Sequence, residues 1–246
     1  MAVQKDIGFI LRSFNFRETS KIAYIYTRQR GKIGGLFKGF RLKRQHFSTP
    51  LDIFSLNEFV YYPSRSNLHL VSAAELIDNY SYLRDIPSRF YLASYMMELV
   101  DRIMPFHYPQ EEIFGLIKVI FDNFSTYSLA NSLAVFQIKI LNLTGFRPSL
   151  TTCLRCSHAV EKEGYFSFRL GGMLCLKCFS ADPQADKVSA DIIASLRYMR
   201  DKDFPQVYNL KPSPSTMNSI LKMLDAFISY HLQARLRSKI FLEVFV

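Results

Sequence analysis

The four cysteines of this 246-residue chain constrain its fold more than any other feature, because they lie in two closely spaced pairs. Two residues separate Cys153 from Cys156 and Cys175 from Cys178, and eighteen residues lie between the pairs. This spacing allows both thiolates of a tight turn to point at one ion, and two such turns complete a tetrahedron. It therefore predicts one structural Zn²⁺ with four protein ligands and no open coordination position for catalysis.

Disulfides and a redox dithiol are the alternative interpretations of these cysteines. The apolar stretch Ile7–Leu11 ends at Arg12, too early for a signal peptide, and no run of about 18 apolar residues could span a membrane. We therefore expect a cytoplasmic protein with no membrane partner, where thiols stay reduced and metal is favoured over disulfide. A redox dithiol would need a single C-x-x-C motif beside a βαβ unit, which the sequence does not show.

The amino-terminal third has the pattern of a β-domain. Short runs of β-branched and aromatic residues recur there, punctuated by glycines such as Gly34-Gly35. In the fourth run the alternation, although imperfect, predicts one apolar face made of Phe54, Leu56, Val60 and Tyr62. Five strands in this length fit a closed OB-fold barrel, and the predicted strands are Ile7–Phe14, Thr19–Thr27, Lys32–Phe37, Asp52–Tyr62 and Leu68–Ala74.

From Pro87 onward the hydrophobic period becomes that of a helix. Apolar residues at three- and four-residue steps predict three helices before Gly145, one from Ser189 and a longer one from about Ser215. Ser128 is a candidate N-cap, and Gly145 is placed where the C′ glycine of a helix belongs.

These patterns predict an α+β protein with two domains. An OB-fold nucleic-acid-binding domain is expected over residues 1–80 and an all-helical domain over residues 81–246. The cysteine-bearing loop 150–180 is expected as a zinc-binding insertion in the helical domain.

Positive charge is concentrated in the predicted barrel. The chain has 31 Lys and Arg residues against 21 Asp and Glu, a formal balance of +10, and twelve cations and six anions fall in residues 1–80. Cations neutralise phosphates, and interleaved rings such as Phe40 can stack on unpaired bases. The alternative is a solvated strand whose phenylalanines belong to the core. The candidate DNA-binding residues form a segment without any acid: Arg28, Arg30, Lys32, Lys38, Arg41, Lys43 and Arg44.

The sequence gives no indication of an enzyme. Walker A, G-x-G-x-x-G, H-E-x-x-H and G-x-S-x-G patterns do not occur. Glu111-Glu112 fits the acidic first turn of a helix better than a catalytic carboxylate pair. No nucleophile or carboxylate is arranged around any of the five histidines, which are His46, His69, His107, His158 and His231.

The order of short motifs along the chain resembles that of the RecO family of bacterial recombination mediators. The amino-terminal motifs are Phe16–Ser20, Tyr26–Lys32, Lys38–Arg41, Phe54–Tyr62 and Ser72–Leu76. The later motifs are Phe136–Leu143, Gly145–Pro148, Gly171–Cys175 and the two cysteine pairs. Ser157 departs from the family pattern, which has glycine after the second cysteine. This departure concerns the turn and removes no ligand.

The resemblance implies an OB-fold followed by a helical domain that carries the zinc loop. It also implies a non-enzymatic protein of the bacterial cytoplasm and nucleoid that binds single- and double-stranded DNA and anneals complementary strands in recombinational repair. The implied partners are RecR and the acidic carboxyl-terminal tail of single-stranded DNA-binding protein, with RecA loaded indirectly on coated gaps. The basic positions 28–44 and the four cysteines are the residues carried over.

Two other functions are compatible with the residues taken alone. OB barrels also serve RNA, so the chain could be a zinc-containing RNA-binding module. A basic face can instead receive an acidic peptide, which would make the chain a protein–protein adaptor without a nucleic-acid role.

Overall fold

A computed structural model of the chain describes residues 2–42, 47–232 and 236–239. The predicted DNA-binding residues Lys43 and Arg44 lie outside the described residues, as does His46. The described chain forms two compact units, of which one comprises residues 2–121 with 236–239 and the other residues 122–232. None of the helices in these ranges combines the length and apolarity that crossing a membrane requires.

The first unit is built on a closed barrel of five strands, as the sequence predicts. Its strands are β1 (Gln4–Phe16), β2 (Ser20–Thr27), β3 (Gly31–Phe37), β5 (Leu56–Tyr62) and β6 (Leu68–Asp78), with a two-residue β4 (Phe47–Ser48) beside β6. Antiparallel pairs join them in the order β3-β2-β1-β5-β6, and a parallel pairing of β3 with β6 closes the ring. A five-stranded closed barrel of this kind is an OB-fold.

Two helices, α1 (Pro87–Ile103) and α2 (Glu111–Asp122), follow the barrel. The last barrel strand ends at Asp78 and α1 begins at Pro87, so strands give way to helices around residue 80. The compact unit nevertheless continues to Phe121, because the rings of Phe114 and Phe121 pack against Phe9 of β1. The first packing unit thus includes two helices that the sequence analysis assigned to the second domain.

Side chains from all five barrel strands fill the interior. They include Ile10, Ala23, Ile25, Ile33, Phe37, Phe59, Tyr61, Val71 and Ala74. Gly34-Gly35 lies within β3 and does not interrupt it. A Cβ on Gly35 would come within 2.8 Å of the Phe37 ring, so glycine fits where a larger residue would not. The glycines therefore mark a close approach between neighbouring strands of the barrel.

The apolar face predicted for the fourth run, Asp52–Tyr62, which contains β5, is wrong. Phe59 and Tyr61 enter the barrel, whereas Tyr62 is exposed. Leu56 is buried on the opposite side of the strand, where it pairs with Phe9 of β1 beneath the helices. Burial along β5 therefore alternates in the opposite phase to the prediction, through Asn57, Phe59 and Tyr61, and Leu56 is an additional buried residue on the other face.

The segment Phe106–Gln110 covers part of the outer surface of the β2–β3 hairpin. The His107 amide donates to the Lys32 carbonyl at 3.0 Å, and the Tyr26 hydroxyl donates to the Gln110 carbonyl at 3.3 Å. Phe106 also forms an isolated parallel bridge with Lys32. The strand 2–3 face commonly receives oligonucleotides in OB-folds. In this chain, its own backbone occupies part of that face.

The second unit combines three helices with a small antiparallel sheet in the order β8-β7-β9. Ser128 caps the first of these helices as predicted, because its hydroxyl accepts from the Asn131 amide at 3.2 Å. Gly145 follows the same helix with a φ of +84°, which confirms its C′ role. The elements are α3 (Leu129–Leu143), β7 (Gly164–Ser167), β8 (Gly172–Leu174), β9 (Asp186–Val188), α4 (Ala190–Asp201) and α5 (Pro214–Leu232).

Gly31→Ala is expected to lower the free energy of unfolding by about 2–4 kcal/mol, measured by urea denaturation. Gly31 has a φ of +66°, and a Cβ there would overlap the Tyr108 carbonyl. The matched control is Gly115→Ala in α2, where a Cβ meets nothing within 4 Å and alanine should stabilise by roughly 0.5–1 kcal/mol. Equal small effects at both sites would show that the Phe106–Gln110 segment does not press on Gly31.

Candidate metal centre and DNA-binding surface

The β7–β8 hairpin brings the two cysteine pairs together. Cys175 follows directly after β8, so the second pair lies at the end of this strand. The first pair is attached to the same strand, since the Leu154 amide donates to the Met173 carbonyl at 2.9 Å. The eighteen residues between the pairs thus form a hairpin that folds the chain back on itself.

The four sulfur atoms have the geometry of a tetrahedral metal site. All of them lie within 4.8 Å of one another, and the Sγ atoms of Cys156 and Cys175 are 3.7 Å apart. Zn–S bonds of about 2.3 Å place the sulfurs of a tetrahedron about 3.8 Å apart. All four cysteines are free thiols, and their mutual proximity is typical of a metal centre. The residues therefore fit a bound Zn²⁺.

The environment of the thiols favours a bound cation. Burial raises the pKa of Cys153, but the amide groups of Cys175, Cys156 and Arg155 outweigh it and lower this pKa to about 6. The neighbouring sulfurs of Cys175 and Cys156 raise the pKa of Cys178 to about 12. Thiolates this close repel each other, so their joint ionisation requires a positive ion at the centre.

Ser157 occupies the position at which the motif favours glycine. Its φ is +60°, in the left-handed region, and its amide donates to the Cys153 carbonyl at 2.9 Å to close the first turn. A side chain in this conformation strains the backbone, which glycine would not. The structure thus shows that the departure affects the turn and leaves the ligands in place.

The predicted DNA-binding residues differ in how much of their charge is available. Lys32 is 7% exposed, and its Nζ donates to the Asp101 carbonyl at 2.5 Å and lies 3.4 Å from the Asp101 carboxylate. Arg28 forms an ion pair with Glu111 at the start of α2. Arg30, Lys38 and Arg41 are exposed and form no ion pair with another described residue.

The predicted segment is also divided between two ends of the barrel. Arg28 and Arg30 lie in the turn that precedes β3, whereas Lys38 and Arg41 follow its last residue. Seven residues of strand at about 3.3 Å each separate these groups by roughly 23 Å. The charge run therefore forms two groups and not one continuous stripe.

Two further cations join Lys38 and Arg41 at the second end. Arg17 is exposed in the β1–β2 turn, and Arg41 is tied to that turn because its amide donates to the Thr19 carbonyl at 2.9 Å. Lys21 is the second residue of β2, and its Nζ lies 5.1 Å from the centre of the Phe40 ring. We name Arg17, Lys21, Lys38 and Arg41 the basic end.

Sequence analysis missed Arg17 and Lys21 because it counted only the acid-free run. The motif Phe16–Ser20, which contains Arg17, was the available signal. Pairing of Phe16 with Ser20 in the β1–β2 hairpin places this turn at the same end as Lys38.

The phenylalanines that lie among these cations in the sequence pack mainly in the hydrophobic core. Phe37 is fully buried inside the barrel. Phe40 and Phe47 pack against it with ring centroids 6.1 and 5.6 Å from the Phe37 ring. Since both are only partly buried, they combine packing with an accessible edge beside the basic end.

Comparison with known proteins covers nearly the whole chain. The family model "Recombination protein O N terminal" matches residues 1–80, and "Recombination protein O C terminal" matches residues 84–240. The chain belongs to the RecO family. The DNA repair protein RecO of Symbiobacterium thermophilum is 30% identical over 248 residues, covering 99% of this chain and 98% of that protein. RecO proteins of Alkaliphilus metalliredigens and Bacillus pumilus are each 28% identical, covering 93% and 97% of this chain and 93% of each relative.

Membership in the RecO family supports a role in DNA repair and recombination. The four-cysteine cluster and the OB-fold barrel are the two features of this member to which chemistry can be assigned. The cluster has the geometry to hold a metal ion, and the barrel carries a group of exposed cations.

Cys175→Ser is expected to abolish binding of one zinc per chain and to lower the thermal midpoint by more than about 5 °C, because one of four ligands is lost. DNA affinity should change less than twofold. Metal analysis, thermal melting and DNA titration measure these effects, with Ser180→Ala as a nearby control. Equal loss of stability and DNA affinity would instead place the metal at the DNA-binding surface.

Ser157→Gly is expected to raise the free energy of unfolding by roughly 1 kcal/mol, because glycine adopts a φ of +60° without strain. Urea denaturation of the zinc-bound protein measures this gain. The control is Ser180→Gly, an exposed position without a positive φ, where the same change should be neutral or destabilising. A destabilised Ser157→Gly protein would contradict the strain.

Proposed function

We propose that this RecO-family chain is a non-enzymatic protein that binds DNA backbones at the basic end of its barrel and anneals complementary strands. The clustering of Arg17, Lys21, Lys38 and Arg41 around one barrel end is the observation that carries the proposal. Lys43 and Arg44 continue the same charge run along the sequence. Arg28 and Lys32 are not part of the basic end, and carboxylates neutralise both of them.

Charge neutralisation gives the mechanism of annealing. Two DNA strands repel each other through their phosphates, and cations that contact both backbones lower this repulsion. Contacts to phosphates position the strands without reading their sequence, so base pairing alone selects the partner strand. The accessible edges of Phe40 and Phe47 can add stacking with unpaired bases.

We also propose that the protein holds one structural Zn²⁺, bound by Cys153, Cys156, Cys175 and Cys178. Bound there, the ion would supply cross-linking of the two turns and no catalytic step, because four protein ligands fill a tetrahedral shell. The chain's own residues position the two turns, because the β7–β8 hairpin and the Leu154–Met173 hydrogen bond hold them in place.

The family membership supports the wider setting of this activity. We propose single- and double-stranded DNA as ligands, and RecR and the acidic tail of single-stranded DNA-binding protein as partners. Through them the protein would help to load RecA on coated gaps, in the cytoplasm and at the nucleoid. These partner assignments rest on the family relation and not on any contact in this chain.

Annealing of two complementary oligonucleotides, followed by fluorescence quenching, tests the proposal. The double variant Lys38→Glu with Arg41→Glu should slow annealing by about tenfold or more. It should also reduce the slope of log K against log salt by roughly 1.4, since each single-strand phosphate contact contributes about 0.7. The matched control, Arg30→Glu with Arg65→Glu, reverses two exposed cations elsewhere on the barrel and should stay within about threefold of the parent chain.

The outcomes separate the alternatives. Equal losses in both double variants would show that overall charge and not the basic end attracts DNA. No acceleration of annealing by the parent chain would favour an adaptor role. Preferential binding of a matched RNA oligonucleotide would favour an RNA-binding module.

A further inference from the structure

A groove of about 810 Å³ lies beside helix α1 within the first unit, and residues of β1 and β2 contribute to its opposite wall. This volume is in the range of a site for a small molecule. The lining includes four cations, two carboxylates and several aromatic rings, most of them half-buried. Rings and cations together can recognise a nucleotide, because its base stacks and its phosphate is anionic.

Two cation–ring contacts in this groove are joined into one platform. The Cζ atom of Arg12 lies 4.0 Å from the centre of the Tyr24 ring, and the Lys32 Nζ lies 4.8 Å from the centre of the Phe106 ring. The two rings contact each other, with centroids 5.7 Å apart. The Asp101 carboxylate ties both ends, because it lies 3.0 Å from the Arg12 Nε and 3.4 Å from the Lys32 Nζ. A platform held in this way loses little conformational entropy when a ligand covers it.

The platform has accessible surface for a base. The Arg12 side chain is 54% exposed although it pairs with Asp101. The Tyr24 and Phe106 rings are half-buried, so they also retain accessible surface. Guanidinium planes and aromatic rings both stack on nucleobases that are not stacked on their neighbours. We therefore place the base at this end of the groove.

The groove also contains a hydroxyl without a partner. Ser94 of α1 lines the groove, and its Oγ atom is buried and has no hydrogen-bond partner among the described residues. A buried hydroxyl that stays unpaired costs free energy. A polar atom of a bound base or sugar would satisfy it.

The charge that remains available in the groove is positive. Asp101 is already paired with two cations, and Glu98 accepts from the Ser238 amide at 2.9 Å and from the Ser238 hydroxyl at 2.6 Å. Arg102 and Arg237 line the same groove, are exposed and form no ion pair with another described residue. These two guanidinium groups can therefore hold a phosphate.

We propose that this groove binds one unstacked nucleotide, which is either free or a unit of a single strand. Its base would lie on the platform of Arg12, Tyr24 and Phe106, and its phosphate would pair with Arg102 and Arg237. The site is distinct from the basic end and shares no residue with it.

A nucleotide that belongs to a strand can reach the groove from the basic end. Lys21 of the basic end and Tyr24 of the groove lie three residues apart in β2, which is about 10 Å at 3.3 Å per residue. About three nucleotides of a strand cover this distance at 3.4 Å each. This route rests on the proposed function, whereas binding of a free nucleotide does not. The groove would thus add a pocket for one unpaired base to a surface built mainly of cations.

The test titrates the full-length, zinc-bound chain with two probes that contain 2-aminopurine, a base whose fluorescence changes when it stacks. One probe is the free deoxynucleoside monophosphate, and the other is an oligothymidine with a single 2-aminopurine. Arg102→Gln with Arg237→Gln should raise the Kd by about tenfold or more, because the phosphate loses both partners. Phe106→Leu keeps an apolar side chain but removes the ring, and should raise the Kd by about fivefold or more.

The matched control is Arg30→Gln with Arg65→Gln, which removes two exposed cations of the same unit outside the groove. It should change the Kd less than about twofold. Losses confined to the free probe would identify a free nucleotide as the ligand, and losses confined to the oligonucleotide would identify a unit of a strand. Unchanged affinity of both probes in the groove variants would overturn the proposal, as would an equal loss in the control.

Ser94→Ala keeps the test decisive if Phe106→Leu fails to fold. The hydroxyl has no partner in the described chain, so its removal should leave the thermal midpoint unchanged or higher while raising the Kd by about threefold or more. Unchanged affinity here and in the Arg102→Gln with Arg237→Gln variant would contradict the site. Competition by inorganic phosphate as effective as that by the nucleotide would show an anion site without base recognition, and the proposal would fail. The free probe needs no contact with the basic end, so a negative result here and a negative annealing result are separate outcomes.

Discussion

Closure of the barrel through the parallel pairing of β3 with β6 is the constraint on which the proposed DNA surface depends. The pairing runs from Gly34 opposite Leu68 to Phe37 opposite Val71, and the Gly34 amide donates to the Asn67 carbonyl at 2.8 Å. Glycine permits this approach, since a Cβ on Gly34 would come within 2.8 Å of the same carbonyl. Once β3 is fixed in the ring, the cations on either side of it are held at opposite ends.

The same closure explains why one end is the better candidate for the proposed DNA surface. At the end that follows β3, Arg41 binds the β1–β2 turn, so four cations from three segments come together. At the other side, Glu111 pairs with Arg28, and the Phe106–Gln110 segment and Asp101 engage Lys32. The charge of a buried lysine with a carboxylate beside it is already compensated, so it has none to offer a phosphate. Arg17, Lys38 and Arg41 are exposed and form no such pair with another described residue, so their charge is available to the proposed ligand.

The metal centre, in contrast, depends mainly on residues that are close together in the sequence. Its two turns are each defined by four consecutive residues, and the hairpin between them is short, so very little distant packing is needed to assemble the four sulfurs. The sequence therefore predicted the cluster residue by residue. The exposure of the leucines that follow Cys153 and Cys175, 42% for Leu154 and 52% for Leu176, was not foreseen, because it depends on how the hairpin folds back.

Local features of the sequence determined the strands, the helices, the caps at Ser128 and Gly145, the four-cysteine cluster and the family. Each of these depends on residues a few positions apart or on the order of motifs, which a linear chain displays directly. Only the tertiary structure decided that Lys32 is paired with Asp101, that Arg17 and Lys21 join Lys38, and that Phe59 and Tyr61 enter the barrel. These outcomes depend on neighbours far along the chain, and a residue's charge or burial is set by such neighbours and not by its own type.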